Sequence, residues 1–174
     1  MLIDIKDKNK KWYLLYTKPR YEKKVDAELQ LLGFETYLPL NRTLKQWSDR
    51  KKWVTEPLFK SYLFINTSIS YYYDILNVNG IVKFVNFEKS PVVVSGKEIS
   101  LIKQILGSEI AIEVMNEDFV VGTNIEIISG PMHGVKGFII ENRSNSQVVV
   151  SLQSIKQNIL LNIPVNKIRN CLNK

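Results

Sequence analysis

Among the 174 residues of this chain there is one histidine, His133, and one cysteine, Cys171. Ser-His-Asp, Cys-His and His-ligated metal chemistry would each have to run through His133, since each needs an imidazole as base or ligand. A lone thiol excludes an internal disulfide and every multi-cysteine zinc site. Metal-assisted hydrolysis requires clustered carboxylates, whereas Asp49, Glu56, Asp74 and Glu88 stand singly along the chain. No enzyme activity, metal or cofactor is expected.

What remains is binding chemistry, and it is concentrated in one stretch. Between 41 and 56, Arg42, Lys45, Arg50, Lys51 and Lys52 are interleaved with Trp47 and Trp53, and Ser48-Asp49 supplies a turn in the middle. Lys and Arg neutralise phosphates and give affinity without sequence choice, so such a stretch points to an acidic partner. It reads as a basic hairpin or loop. Trp53 is expected to tuck back into the core, while Trp47, further out, suits core and solvent equally. The net charge of +7 has the matching sign. Most of it is N-terminal: residues 1–60 hold 14 Lys and Arg against 8 Asp and Glu, residues 61–115 hold 4 against 5, and residues 116–174 hold 6 against 4.

The elements that must position this stretch alternate strand and helix. Trp12 to Tyr16 is aromatic and branched over strand length, and Lys18-Pro19-Arg20 breaks it. Tyr21, Val25, Leu29 and Leu32 then form one helix face, stopped by Gly33. A second strand follows over 34–40. Tyr62 to Ile65 is a continuous apolar run that suits a central, two-sided strand. A short helix is expected over 68–76 and another strand over 81–87. Ser95 followed three residues later by Glu98 is a capping-box pattern. It opens a helix with Ile99, Ile102, Ile105 and Leu106 as its buried stripe, ended by Gly107.

Residues 107–118 are acidic and aperiodic and read as a linker. Beyond them short runs recur over 123–128, 135–140, 147–152 and 158–163, with Gly130-Pro131 and 142–146 as turns. Four or five short strands in so little chain predict a small barrel. The fold class is therefore α+β, with a tail at 1–11, an N-terminal domain at 12–106, a linker at 107–118, a barrel domain at 119–170 and a tail at 171–174. A hydrophobic share of 45% and a charged share of 24% are ordinary for globular domains. No apolar run is long enough to span a membrane and the N-terminus lacks a signal-peptide core, so a cytoplasmic location without membrane contact is expected.

Three stretches in this order and spacing resemble the NusG family of transcription elongation factors, in which an NGN domain precedes a KOW domain. They are Trp12-Tyr13-Leu14-Leu15-Tyr16-Thr17-Lys18-Pro19, then Glu56-Pro57-Leu58-Phe59-Lys60-Ser61-Tyr62-Leu63-Phe64, then Val121-Gly122-Thr123 through Gly130-Pro131-Met132-His133-Gly134-Val135-Lys136-Gly137. The basic hairpin and the Pro-Leu-Phe-x-x-Tyr-Leu-Phe stretch look more like the operon-specific antiterminators of the RfaH and UpxY kind than the housekeeping factor. Lys60 departs from a common proline, and Met132 from a common aromatic residue. The resemblance implies an antiparallel-type NGN sheet flanked by helices and an SH3-like KOW barrel.

It also implies sites. A hydrophobic patch of Tyr16, Phe59, Tyr62, Ile99 and Ile102 would grip the clamp helices of RNA polymerase; Phe59 and Ile102 suit core and interface equally, while Tyr16 and Tyr62 are expected at the interface. A basic side of Lys18, Arg20, Lys24, Arg42, Lys45, Arg50, Lys51 and Lys52 would face upstream DNA and the non-template strand. Tyr71 and Tyr72 lie where specialised paralogues read non-template bases, and one or other is expected to face outward, since tyrosine faces stack on unpaired bases. Met132 and His133 would meet the KOW partner, the ribosomal protein NusE or the termination factor Rho. The factor would act as a monomer that suppresses pausing or termination. A second reading is a ribosome-associated RNA-binding protein, since KOW segments also occur there.

Overall fold

The computed structural model describes residues 9–47, 49–108, 110, 112–115, 122–142 and 146–171. The tail expected at 1–11 thus lies mostly outside the described residues, and Lys11 already opens the first strand. The chain divides into two compact units, Met1–Gly96 and Lys97–Lys174. Among the described residues no helix is long and apolar enough to cross a membrane.

In the first unit, β1 (Lys11–Thr17) leads to α1 (Glu22–Leu31), β2 (Glu35–Tyr37) and the ribbon strands β3 (Leu40–Gln46) and β4 (Lys51–Pro57). Then come β5 (Tyr62–Thr67), a single 3-10 turn at Ile69–Tyr71, α2 (Tyr72–Leu76), β6 (Ile81–Phe84), the two-residue strands β7 (Asn86–Phe87) and β8 (Ser90–Pro91), and β9 (Val93–Val94). The main sheet is antiparallel in the order β2-β5-β1-β6, with β9 also pairing β1. β5 is central, as its apolar run predicts, with Leu63, Phe64 and Ile65 all fully buried.

One sheet face carries Tyr13, Leu15, Leu63, Ile65 and Phe84, which form a core with Val25 and Leu29 of α1 and Ile75 of α2. α1 stops where Gly33 takes φ +88°, a conformation costly to residues with a Cβ. There Gly33 N–H donates to the Gln30 carbonyl at 2.9 Å and Phe34 N–H to the Leu29 carbonyl at 3.0 Å, the paired bonds of a Schellman cap. Buried Phe34 and Leu29 belong to the same core, so the cap also sets where the chain re-enters the sheet.

In the second unit, α3 (Gly96–Leu106) precedes β10 (Ile112–Met115), β11 (Asn124–Ile127), β12 (Lys136–Asn142), β13 (Ser146–Leu152), β14 (Gln157–Ile163), a 3-10 turn at Val165–Lys167, and β15 (Ile168–Asn170). Six strands pair in the order β10-β14-β13-β12-β11-β15. The segment expected to be a linker contributes β10, antiparallel to β14; Ile112 and Val114 alternate with exposed Glu113, a strand pattern too short to stand out. Along the chain the two units meet at Gly96 and Lys97, the start of α3. Glu98 Oε1 accepts hydrogen bonds from Ser154 N–H at 3.2 Å and its hydroxyl at 3.0 Å. Gln104 Nε2 donates to the carbonyls of Pro131 at 3.0 Å and His133 at 3.3 Å. Both ends of α3 are thus tied to turns of the C-terminal sheet. The run from Val148 to Leu161, which also meets helical spacing, is β throughout apart from its turn, in keeping with its β-branched residues.

Candidate functional site

Most residues of the basic ribbon are exposed. β3 and β4 pair from Leu40–Pro57 to Gln46–Lys51, and Trp47 N–H donates to the Arg50 carbonyl at 2.8 Å to close the turn. Cross-strand partners share a face and side chains alternate, so register sorts the residues. Arg42, Leu44, Lys51, Trp53 and Thr55 share the outward face and are exposed. Asn41, Thr43, Val54 and Glu56 share the other face and are half-buried, with Lys45 and Lys52 beyond them toward the turn. The expected cations therefore divide between two faces. Trp53 does not tuck into the core: it is 56% exposed, because its partner Leu44 puts it on the outward side. Trp47 is 54% exposed.

At the base of the ribbon lies a cleft of about 430 Å³, lined among others by Arg20, Glu22, Lys23, Lys45, Glu56, Lys60 and Ser61. Its walls are fixed locally. Buried Glu22 Oε1 accepts from Ser61 N–H at 2.7 Å, and Lys23 Nζ reaches the Thr55 carbonyl at 2.8 Å, which ties α1 to the ribbon. Arg20 and Ser61 both hold positive φ, +67° and +64°, so two strained turns meet at the cleft. Lys45 Nζ lies 2.6 Å from Glu56 Oε2, and that hydrogen bond holds the Glu56 carboxyl below its usual range, with the charges of Lys60 and Lys23 acting in the same direction. Four cations against two carboxylates leave the cleft attractive to anions. The cleft joins Arg20 and Lys45, both expected from sequence, with Lys23 and Lys60, which sequence reasoning missed. Lys23 sits beside Lys24 in a basic run; only the position of the ribbon over α1 tells which of the two faces the cleft.

Lys18 and Lys24 gather elsewhere, each near the Tyr21 ring at 5.9 Å and 5.7 Å from its centroid. Arg50 is 3.9 Å from Asp49 at the turn, with both side chains open to solvent.

The tyrosine run departs from expectation. Tyr71 packs edge-on against Phe34 at 5.7 Å and Tyr72 stacks on Phe84 at 4.7 Å, so both join the core, and Tyr73, 77% exposed, is the one facing solvent. The 3-10 turn ahead of α2 shifts the helical phase, which sequence spacing alone does not reveal.

On the second face of the main sheet, Tyr16 and Tyr62 are direct cross-strand partners with rings 5.5 Å apart in a T-shaped contact. Lys83, the partner of Tyr16 on the next strand, lies 6.0 Å from the Tyr16 ring centroid. This half-buried row is polar at its hydroxyls and apolar between them. Phe59 is buried and packs edge-on to Phe64 at 6.4 Å, supporting the face from beneath. Tyr37 stacks on the same Phe64, and burial pushes its phenol up to about 12. Ile99 and Ile102 are buried on α3 in the second unit. In the turn between β11 and β12, Gly130 and Gly134 take φ +80° and +83°, His133 is exposed, and Met132 is 1% exposed, so Met132 fills the turn from below instead of offering a surface. Among the described residues no group of three or more His, Cys, Asp or Glu could hold a metal.

Residues 10–103 match the family model for transcription termination factor nusG. The chain belongs to the NusG family, whose members are non-enzymatic transcription factors. A solved structure of Thermotoga maritima NusG, determined for its domain interaction, is similar in fold: TM-score 0.55 and 24% identity over 94% of this chain and 98% of that one. An MjSpt4:Spt5 complex aligns over 93% of this chain and 97% of that one at 13% identity, with a TM-score of 0.32 that is too low to bear on the fold. A search of curated proteins finds no match.

Proposed function

We propose that this chain is a transcription elongation factor that grips the clamp helices of RNA polymerase through the Tyr16–Tyr62 row and holds non-template DNA with its basic ribbon and cleft. In this reading it suppresses pausing or termination as a processive, operon-specific antiterminator. The observation that carries it is the pairing of two half-buried tyrosines across β1 and β5, beside Lys83, in the same unit as the cationic ribbon. Aromatic residues with wet hydroxyls give large contact area at small ordering cost, as the centre of a protein interface requires. The cations act on phosphates and bring no sequence choice. His133, exposed at its turn, is the residue through which NusE or Rho would be met.

The test is co-elution of the purified protein with RNA polymerase, and separately with ribosomes. Polymerase binding that Tyr62→Ala weakens supports the proposal. Sedimentation with ribosomes without polymerase binding replaces it with the ribosome-associated reading.

A further inference from the structure

The ribbon shows its largest apolar side chains to solvent. Its half-buried face carries Asn41, Thr43, Val54 and Glu56, while its outward face presents the cross-strand pair Leu44 and Trp53, 48% and 56% exposed, among Arg42, Lys51 and Thr55. Register fixes this choice, because a one-residue slip would exchange the two faces. An indole held outward beside cations is a surface open to a partner.

The surroundings of Trp53 say which kind. The Arg42 guanidinium sits over the Trp53 ring, 4.9 Å from its centroid, and covers one of its sides. Register places Lys51 on the same outward face. The ribbon from Leu40 to Pro57 carries five Lys and Arg against two Asp and Glu. A flat exposed ring with a guanidinium over it, on a face that also carries Lys51, matches a chain that offers bare π-faces at intervals along an anionic backbone. Single-stranded nucleic acid is that chain, whereas a duplex keeps its base faces stacked inside.

We propose that Trp53, braced by Arg42, is a stacking platform for an unpaired base of single-stranded nucleic acid, with Arg42 and Lys51 meeting the flanking phosphates. The inference rests on the reading of the ribbon as a surface for non-template DNA and adds to it the residue that meets an unpaired base. Stacking is tolerant of base identity, so single strands of any sequence should bind.

The chain has three tryptophans, so Trp12→Phe with Trp47→Phe leaves Trp53 as the sole indole reporter. The probes are an oligothymidylate of about 12 nucleotides, within the range of single-strand sites, and a duplex of the same length. The expected result is fluorescence quenching by the single strand and little by the duplex. Trp53→Ala in the otherwise native chain should lower single-strand affinity about tenfold, leave duplex affinity and the salt slope nearly unchanged, and be partly rescued by Trp53→Phe. Equal losses for both probes, or no loss, overturn the proposal. If Trp53→Ala is silent while Arg50→Gln, Lys51→Gln and Lys52→Gln together weaken both probes, stacking fails and the nucleic-acid reading stands. If neither variant changes binding, both fail. Loss of polymerase binding with nucleic-acid affinity intact would assign the face to a protein partner and refute the inference.

Discussion

Replacing Arg50, Lys51 and Lys52 with Gln should flatten the salt dependence of nucleic-acid binding, but by less than three full phosphate contacts. Arg50 lies 3.9 Å from Asp49, so part of its charge is already answered. Lys51 and Lys52 are adjacent on β4 and point to opposite faces of the ribbon, and a strand lying along either face meets only one of them directly. Between one and two contacts should therefore be lost. Each contributes about 0.9 to the slope of log affinity against log salt for duplex DNA and about 0.7 for single strands, so the slope should fall by roughly 1 to 2. Over a fourfold rise in salt, such as roughly 50 to 200 mM, about half a decade to one decade of affinity loss disappears. Fluorescence anisotropy with several labelled oligonucleotides at a series of salt concentrations measures this directly. An unchanged slope would make the three charges solvated surface only, and a drop near 3 would mean that both ribbon faces are engaged at once. A loss that varies with base sequence would contradict phosphate neutralisation as the mechanism.

Tyr62→Ala should weaken polymerase binding by about 2 kcal/mol, roughly thirtyfold, with far-UV circular dichroism unchanged, since its ring is half-buried and not part of the core; normal binding would refute the interface. Glu98→Ala with Gln104→Ala removes the hydrogen bonds that tie α3 to the turns at Ser154 and Gly130–Gly134; if Ile99 and Ile102 are polymerase contacts, affinity should rise, and an unchanged affinity would show that α3 is only structural. Gly33→Ala should cost about 1 kcal/mol in chemical denaturation, because an L side chain is strained at that backbone angle. Tyr37 keeps its proton to about 12 in the folded state against about 10 unfolded. Its contribution to stability is therefore complete below pH 10 and lost as pH rises toward 12, a decline that Tyr37→Phe should remove from the alkaline limb of the unfolding profile.

Periodic and punctuated segments were legible from sequence. α1 could be read because Val25, Leu29 and Gly33 combine helical spacing with a C-terminal cap, and the strands β11 to β14 because turn residues bound each branched run. What sequence leaves open is which way a strand faces. Trp53 reads as core by residue type, yet its pairing with Leu44 turns it to solvent, and that register depends on a turn whose geometry composition does not specify. Tyr71 and Tyr72 turn inward for a related reason, since the 3-10 turn rotates the following helix and leaves Tyr73 outside. The resemblance implies a surface role for Met132, but an unbranched apolar side chain between two positive-φ glycines is well suited to folding under the turn. Lys23 and Lys60 join a common cleft with Arg20 and Lys45 only through the tertiary contact of α1 with the ribbon, which local sequence does not encode.

The central claim is that the Tyr16–Tyr62 face and the basic ribbon act together on transcribing polymerase. Single-round transcription with purified RNA polymerase on a template carrying one strong pause and one terminator tests it most directly. The account predicts that the protein shortens the pause and raises read-through, that Tyr62→Ala removes both effects at equal concentration, and that the Arg50, Lys51 and Lys52 substitutions to Gln weaken them more as salt is lowered. Pause lifetimes and read-through that stay the same at saturating protein would contradict it.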